Sequence, residues 1–98
     1  MTEYQITCYC YICNGNSDGT KSQEPARANY TAACHPSKYS KLKNKKISIA
    51  GVGDRWIKDI YKESLPDNII DVYVGKTSKC NCDNHKFNGT RKVTIYNN

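Results

Sequence analysis

The strongest strand signal in the chain is the stretch Ile-Ile-Asp-Val-Tyr-Val at residues 69–74. β-branched and aromatic side chains favour an extended backbone, because they fit well on a pleated, half-buried surface. Other short segments are rich in the same residue types or alternate between polar and apolar residues: they are residues 4–12, 30–34, 45–50, 55–61 and 91–96. The chain is therefore predicted to contain six short strands.

Loop and turn signals separate these segments. Residues 13–29 contain several Gly, Asn and Ser residues, residues 51–54 predict a turn, and residues 75–89 are polar and carry cysteines. The residues that follow Pro36 predict one helical turn, and no segment has the pattern of a long amphipathic helix. We therefore expect a β-dominated barrel that forms a single domain over residues 1–98.

The composition indicates a globular domain and excludes a disordered tail, because 38% of the residues are hydrophobic and 24% are charged. No apolar run approaches the roughly 18 residues needed to span a bilayer, so no membrane span is expected. Residues 1–11 are too polar for the core of a signal peptide. Any export is therefore expected to depend on something other than a signal sequence in this chain.

The net charge of +6 includes a cluster of lysines. Its members are Lys38, Lys41, Lys43, Lys45 and Lys46. A solvated loop explains such a cluster, and so does attraction to a polyanion such as nucleic acid, teichoic acid or the acidic groups of murein. The eight tyrosines suit a strand-rich fold with a polar ligand groove, although half-buried strand positions explain most of them equally well.

Six cysteines are too many for chance in a reduced enzyme of 98 residues. They form a Cys-x-Cys-x-x-Cys cluster near one end, a Cys-x-Cys cluster near the other, and the lone Cys34. Disulfides between the end clusters are one interpretation. A tetrahedral thiolate site for structural zinc is another, with these ligands: Cys10, Cys13, Cys80 and Cys82. Free thiols remain a third, and a catalytic cysteine paired with His35 or His85 is disfavoured.

Asp59 and Asp71 each lie in an apolar strand segment, where a carboxylate needs a reason. An outward-facing position or an ion pair with Arg55 or Lys58 supplies a structural reason. Two partly desolvated carboxylates on adjacent strands supply a chemical one, because burial and mutual repulsion raise one pKa. A carboxylic acid with a raised pKa can protonate a glycosidic oxygen near neutral pH. A single acid can then suffice if the substrate supplies its own nucleophile.

Two segments that contain these aspartates resemble a known family. Residues 56–59 (Trp-Ile-Lys-Asp) and 67–74 (Asp-Asn-Ile-Ile-Asp-Val-Tyr-Val) are similar to the second and third aspartate motifs of the three-aspartate domain. This module occurs in phage and bacterial proteins and is related to the C-terminal region of membrane-bound lytic transglycosylase A. Residues 6–15 look like the cysteine-containing opening of the phage-associated branch, and residues 18–22 look like its Asp-Gly-x-Thr-Ala-Ser-Gly motif.

The resemblance implies a fold, a site and an activity. The fold is a small six-stranded double-psi β-barrel, here with cysteine-rich end segments. The site has Asp71 as catalytic acid/base and Asp59 as its catalytic partner, with no cofactor for catalysis. The implied substrate-binding residues are His35, Tyr9, Thr20, Ser22 and Asn68. The implied activity is a peptidoglycan lytic transglycosylase that cleaves between N-acetylmuramic acid and N-acetylglucosamine and leaves a 1,6-anhydro sugar.

The chain also departs from the family pattern. His35 stands where the family has its first aspartate, and residues 60–63 replace the glycines that normally follow the second. A module that has lost catalysis and kept cell-wall binding, or a structural part of a phage tail, is therefore the main alternative. A third hypothesis is a basic module that is stabilised by zinc and binds nucleic acid, although no nucleic-acid-binding motif is present. Location at the cell wall, outside the cell or in a phage particle is expected, with glycan strands and other tail or lysis proteins as partners. Export would then depend on a holin, a phage tail or a larger parent chain.

Overall fold

The computed structural model describes residues 2–97, and within this range the chain forms six strands, one α-helix and one short 3-10 helix. The strands are β1 (Thr2–Tyr9), β2 (Thr31–Cys34), β3 (Lys46–Ile49), β4 (Gly53–Ile60), β5 (Ile69–Tyr73) and β6 (Gly89–Ile95). The helix α1 is Pro36–Leu42, and the 3-10 helix is Cys82–Asn84. Each of the six predicted segments thus overlaps one strand.

The strands close into a barrel in the order β1-β5-β2-β4-β3-β6. Strands β1 and β5 are parallel, as are β2 and β4, and the other neighbouring pairs are antiparallel. The connection from β1 to β2 passes over β5, and the connection from β4 to β5 passes over β2. These two interlocked crossings are the double-psi arrangement, and the predicted six-stranded barrel is confirmed.

The barrel interior is filled mainly by branched side chains, which alternate with more exposed residues along most strands, whereas all four residues of β2 are buried. On β4 the burial alternates so that Arg55, Ile57 and Asp59 are buried. The other fully buried aliphatic side chains come from five strands and include Ile6, Ala32, Ile47, Ile49, Ile70, Val72 and Val93. Full burial of one such Val or Ile contributes roughly 1.5–3 kcal/mol, so this interior supplies most of the stabilising free energy.

Several element boundaries differ by a few residues from the sequence-based expectation, and two of the differences have local reasons. Strand β1 ends at Tyr9 and does not continue to residue 12, because the Asn14 N–H donates to the Cys10 carbonyl and closes a turn. Helix α1 is seven residues long and exceeds the single turn expected after Pro36. The His35 side chain caps it by accepting a hydrogen bond from the Ser37 N–H, and Pro36 occupies the first turn, which favours helix initiation. In residues 2–97 no helix is long and apolar enough to cross a membrane.

Candidate active site

Strand β2 brings the two candidate carboxylates together. It lies between β4 and β5, and Ala33 is the register partner of both Asp59 on β4 and Asp71 on β5. Neighbouring strands are about 4.8 Å apart, so the backbones of the two aspartates are roughly 10 Å apart across β2. Both side chains line one groove. The sequence-based expectation that these aspartates lie on adjacent strands is wrong, because β2 lies between their strands, although both side chains reach the same groove.

An irregularity in β4 directs Asp59 to this groove. Ala32 pairs with Ile57 and the next residue, Ala33, pairs with Asp59, so β4 has one extra residue, Lys58, opposite β2. Strand side chains alternate between faces, and an extra residue moves those that follow it to the other face. Ile57 therefore faces the barrel interior with Ala32, whereas Asp59 shares the face of Ala33 and Asp71. Without the bulge, Asp59 would face the hydrophobic core.

Asp71 is a partly buried carboxyl with a raised pKa. Its Oδ1 accepts a hydrogen bond of 2.9 Å from the hydroxyl of Thr7, its register partner on β1. Burial raises the pKa of Asp71 to about 6, the Thr7 hydrogen bond acts in the opposite direction, and the negative charge of Asp59 adds to the increase. A carboxyl with this pKa is partly protonated near neutral pH, so it can donate a proton and later accept one.

Asp59 is 9% exposed and its carboxylate is held by three donors. The Tyr9 hydroxyl donates to Oδ2 at 3.0 Å, and the backbone N–H groups of Lys21 and Ile60 donate to Oδ1 at 3.0 and 2.9 Å. Burial, followed by the negative charge of Asp59, raises the pKa of the Tyr9 hydroxyl, which therefore remains a donor. The predicted substrate-binding residue Tyr9 is thus also the residue that orients Asp59.

The groove has a volume of about 450 Å³. Its floor contains Ala33 and the two aspartates, and Tyr9 borders it. The rest of its lining comes from the turn after β1, from the end of β4 and from the segment after β4: Cys13, Asn14, Ile60, Tyr61, Lys62 and Leu65. A groove of this size is in the range of small-ligand sites, and its carboxylates are the acid/base candidates.

The segment after β4 forms one side of the groove. It lacks the glycines found there in the family that the sequence resembles. Tyr61 braces it, because its hydroxyl donates to the Pro66 carbonyl at 2.6 Å and accepts from the Ile69 N–H at 3.3 Å. Leu65 is 45% exposed on the same side. Sequence reasoning missed both residues and also Thr7, although Thr7 is two positions before Tyr9 and so shares its face of β1.

The remaining predicted substrate-binding residues lie beside the groove. The Thr20 and Ser22 hydroxyls are hydrogen-bonded to each other at 2.8 Å and flank Lys21, whose N–H holds Asp59. The exposed Asn68 immediately precedes β5. None of these three side chains is among those that line the groove. Their predicted contacts with substrate remain predictions.

His35 caps α1 and does not line the groove. Its Nδ1 accepts from the Ser37 N–H at 3.0 Å, so Nε2 carries the proton and donates to the Glu63 carbonyl at 3.0 Å. The histidine thereby ties the start of α1 to the segment after β4. Its predicted contact with substrate would require the loss of one of these two hydrogen bonds.

Four of the five cysteines of the end clusters meet at one end of the barrel. The Sγ atoms of Cys10, Cys13, Cys80 and Cys82 all lie within 4.8 Å of one another. Cys13 and Cys80 form a disulfide with their Cα atoms 5.4 Å apart, whereas Cys10 and Cys82 are free thiols. The predicted grouping of these four residues is confirmed. Four free thiolates in this arrangement could bind a metal ion. In the structure, however, two of the four cysteines are joined by the disulfide.

Comparison of the chain with models of protein families, with curated proteins and with solved structures gives no match. The functional interpretation of the groove therefore depends on its own residues, distances and charges. Those are an Asp71 whose pKa is raised to about 6, an Asp59 held by three donors, and a cleft that could admit a ligand.

Proposed function

We propose that the groove cleaves the glycan strands of peptidoglycan without water, as a lytic transglycosylase. The observation that carries this proposal is the position of Asp71, a carboxyl with a pKa of about 6 in a groove that also contains Asp59. A polymer of sugars presents a glycosidic oxygen that needs a proton in order to leave. Asp71 is the group in this groove whose pKa suits that transfer near neutral pH.

The proposed reaction uses one carboxyl twice. Asp71 first donates its proton to the oxygen that links N-acetylmuramic acid to N-acetylglucosamine, and the bond from the muramic C1 to that oxygen breaks. The C6 hydroxyl of the muramic residue then attacks its own C1 and passes its proton to the Asp71 carboxylate. The products are a 1,6-anhydro end and a free C4 hydroxyl, so Asp71 is regenerated and no water or metal is consumed.

Asp59 has a second role in this proposal. Positive charge develops on the sugar ring as the glycosidic bond breaks, and the nearby negative carboxylate stabilises it. The donors from Tyr9, Lys21 and Ile60 fix the position of that carboxylate before the substrate binds. The geometry thus requires no reorganisation of Asp59 during the reaction.

The rate of glycan cleavage is expected to fall as the pH rises above about 6, because the protonated form of Asp71 is then lost. The variant Asp59→Asn removes a charge that raises the pKa of Asp71, so the descending limb of its pH profile should move to lower pH. The measurement is the initial rate of soluble fragment release from sacculi between pH 4 and 8. A descending limb at the same pH in both proteins would argue against coupling between the two carboxyls.

The same sacculi distinguish an enzyme from the alternative, a module that binds the cell wall without catalysis. A protein that co-sediments with sacculi but releases no fragments at any pH would support that alternative. The net charge of +6 suits either role, since the cell wall carries acidic groups and wall polymers. We place the protein at the cell wall or in a phage particle for both, with glycan strands, and tail or lysis proteins, as its partners.

We also propose that the four-cysteine cluster holds a structural Zn²⁺ when a thiol reductant has opened the Cys13–Cys80 disulfide. Four thiolates bound to one zinc at about 2.3 Å lie roughly 3.8 Å apart. Two of the observed Sγ–Sγ distances, 3.1 Å for Cys10–Cys13 and 3.3 Å for Cys13–Cys82, are close to that separation. Thiolates without water ligands are typical of structural zinc sites, so the cluster fits the ion.

Native mass spectrometry tests this second proposal. The reduced chain, refolded with zinc, is expected to carry one ion, and the Cys82→Ser variant is expected to carry none at the same concentration. Cys34→Ala is the matched control, because Cys34 is buried elsewhere in the barrel and should leave the stoichiometry unchanged. Equal zinc content in Cys82→Ser and wild type would exclude the four-cysteine site.

A further inference from the structure

A guanidinium is buried at one end of the barrel and forms no ion pair with the described residues. Arg55, near the start of β4, is only 4% exposed. One of its Nη atoms donates to the Asp54 carbonyl at 2.8 Å, and its Nε has no hydrogen-bond partner. Neither of the ion pairs formed within residues 2–97 includes Arg55, since the Asp54 carboxylate pairs with Lys46 at 3.4 Å. Burial of an unpaired charge is strongly unfavourable, so this arrangement is unexpected unless a ligand compensates it.

A second buried polar group without a hydrogen-bond partner among the described residues lines the same cavity as Arg55. Tyr73, the last residue of β5, is 2% exposed, and its hydroxyl has no hydrogen-bond partner. Tyr73 and Arg55 both line a cavity of about 210 Å³. The remaining lining comes from the loop before β2 and from the segment before β6: Ala28, Asn29, Val74, His85, Lys86 and Phe87.

The lining of this cavity selects for negative charge. It contains Arg55 and Lys86 and no carboxylate. Arginine presents a planar set of donors that matches two oxygens of a carboxylate or a phosphate. A buried donor that finds such an acceptor regains the free energy lost on desolvation. Water alone would satisfy the Nε but would leave the charge of Arg55 uncompensated.

We propose that this cavity is a binding site for a small oxyanion, a phosphate or carboxylate group, held by Arg55 with help from Tyr73 and Lys86. The site is separate from the groove, because the two share no lining residue. The Tyr73 ring nevertheless contacts the Tyr9 ring, with centroids 5.2 Å apart, so the cavity lies next to the catalytic side of the barrel. The inference does not depend on the proposed cleavage reaction.

The test follows the Arg55 Nε–H resonance by ¹H–¹⁵N NMR, together with the melting temperature. Wild-type protein is titrated with inorganic phosphate, with acetate and with chloride at constant ionic strength. We expect phosphate, acetate or both to shift the Arg55 resonance saturably and to raise the Tm, whereas chloride should do neither. The anion with the lower Kd identifies phosphate or carboxylate as the chemical source. A shift of equal size with chloride would overturn the proposal.

Variants of the cavity residues test whether the anion binds in this cavity and not elsewhere on the protein. Arg55→Met keeps the aliphatic length but removes the charge, so its Tm should no longer respond to the anion. Arg27→Gln, at an exposed arginine, should respond as wild type does. Tyr73→Phe removes one hydrogen bond and is expected to raise the Kd roughly 5–10-fold without loss of the fold. If Arg55→Met does not fold, an unchanged Kd in Tyr73→Phe and in Lys86→Gln overturns the proposal by itself.

Discussion

Replacement of Asp71 by Asn is expected to lower the rate of glycan cleavage roughly 10³-fold while the domain becomes more stable at pH 8. The rate falls because an amide cannot donate or accept the proton that the glycosidic oxygen requires. The Asn side chain is nearly isosteric and its Oδ1 can still accept from Thr7, so the groove should keep its shape. The rate of glycan cleavage is measured as fragment release from sacculi at matched concentrations of the two proteins.

The gain in stability follows from the pKa of Asp71. A carboxyl with a pKa of about 6 in the folded chain and 3.8 as a free group costs stability as the pH rises from about 4 to 6. Below that window both states are protonated and the cost vanishes. Asp71→Asn should therefore gain roughly 2 kcal/mol at pH 8 and little at pH 3.5, as measured by urea unfolding. Asp67→Asn, at an exposed aspartate, is the control and should change neither rate nor stability. A gain that is the same at both pH values would show that Asp71 is not perturbed.

Reduction of the Cys13–Cys80 disulfide is expected to cost about 4 kcal/mol of unfolding free energy. The two cysteines are 67 residues apart in sequence, and cross-links that close longer loops restrict the unfolded chain more. The bond also ties the turn after β1 to the segment between β5 and β6. Domains of this size have only about 5–15 kcal/mol of stability, so the reduced protein should be marginal.

Urea unfolding with and without a thiol reductant measures this cost. A chelator is present in both samples, so that a metal ion does not replace the cross-link. The control is a variant in which all four cluster cysteines are serine, and it should not respond to the reductant: the positions are Cys10, Cys13, Cys80 and Cys82. Equal midpoints for oxidised and reduced wild type would mean that the disulfide does not stabilise the fold.

The strands could be predicted from the sequence because their residue types act locally. β-branched and aromatic residues mark β5, and alternation of polar and apolar residues marks β3 and β4. The pattern of short strands and turns predicted a β-dominated barrel, whereas its double-psi connections were available only from the resemblance. Parallel pairing is a contact between distant segments, and no local pattern specifies which strands become neighbours.

The site could be predicted only in part. Asp71 and Asp59 were identified because a carboxylate in an apolar strand is unusual, and they do line one groove. The bulge that directs Asp59 toward Asp71 leaves no sign in the sequence, since Lys58 suits a regular strand equally well. His35 was predicted from the alignment of motifs to contact substrate, whereas its side chain caps α1. Arg55 gave no signal either, because its burial depends on segments far away in the chain.

The product released from purified sacculi is the most direct test of the account. Wild-type protein is incubated with sacculi at about pH 6, and the soluble muropeptides are identified by mass spectrometry, with Asp71→Asn as the negative control. We expect 1,6-anhydro-muropeptides from wild type and none from the variant. Muropeptides with reducing ends, or no release from wild type at any pH, would contradict the account.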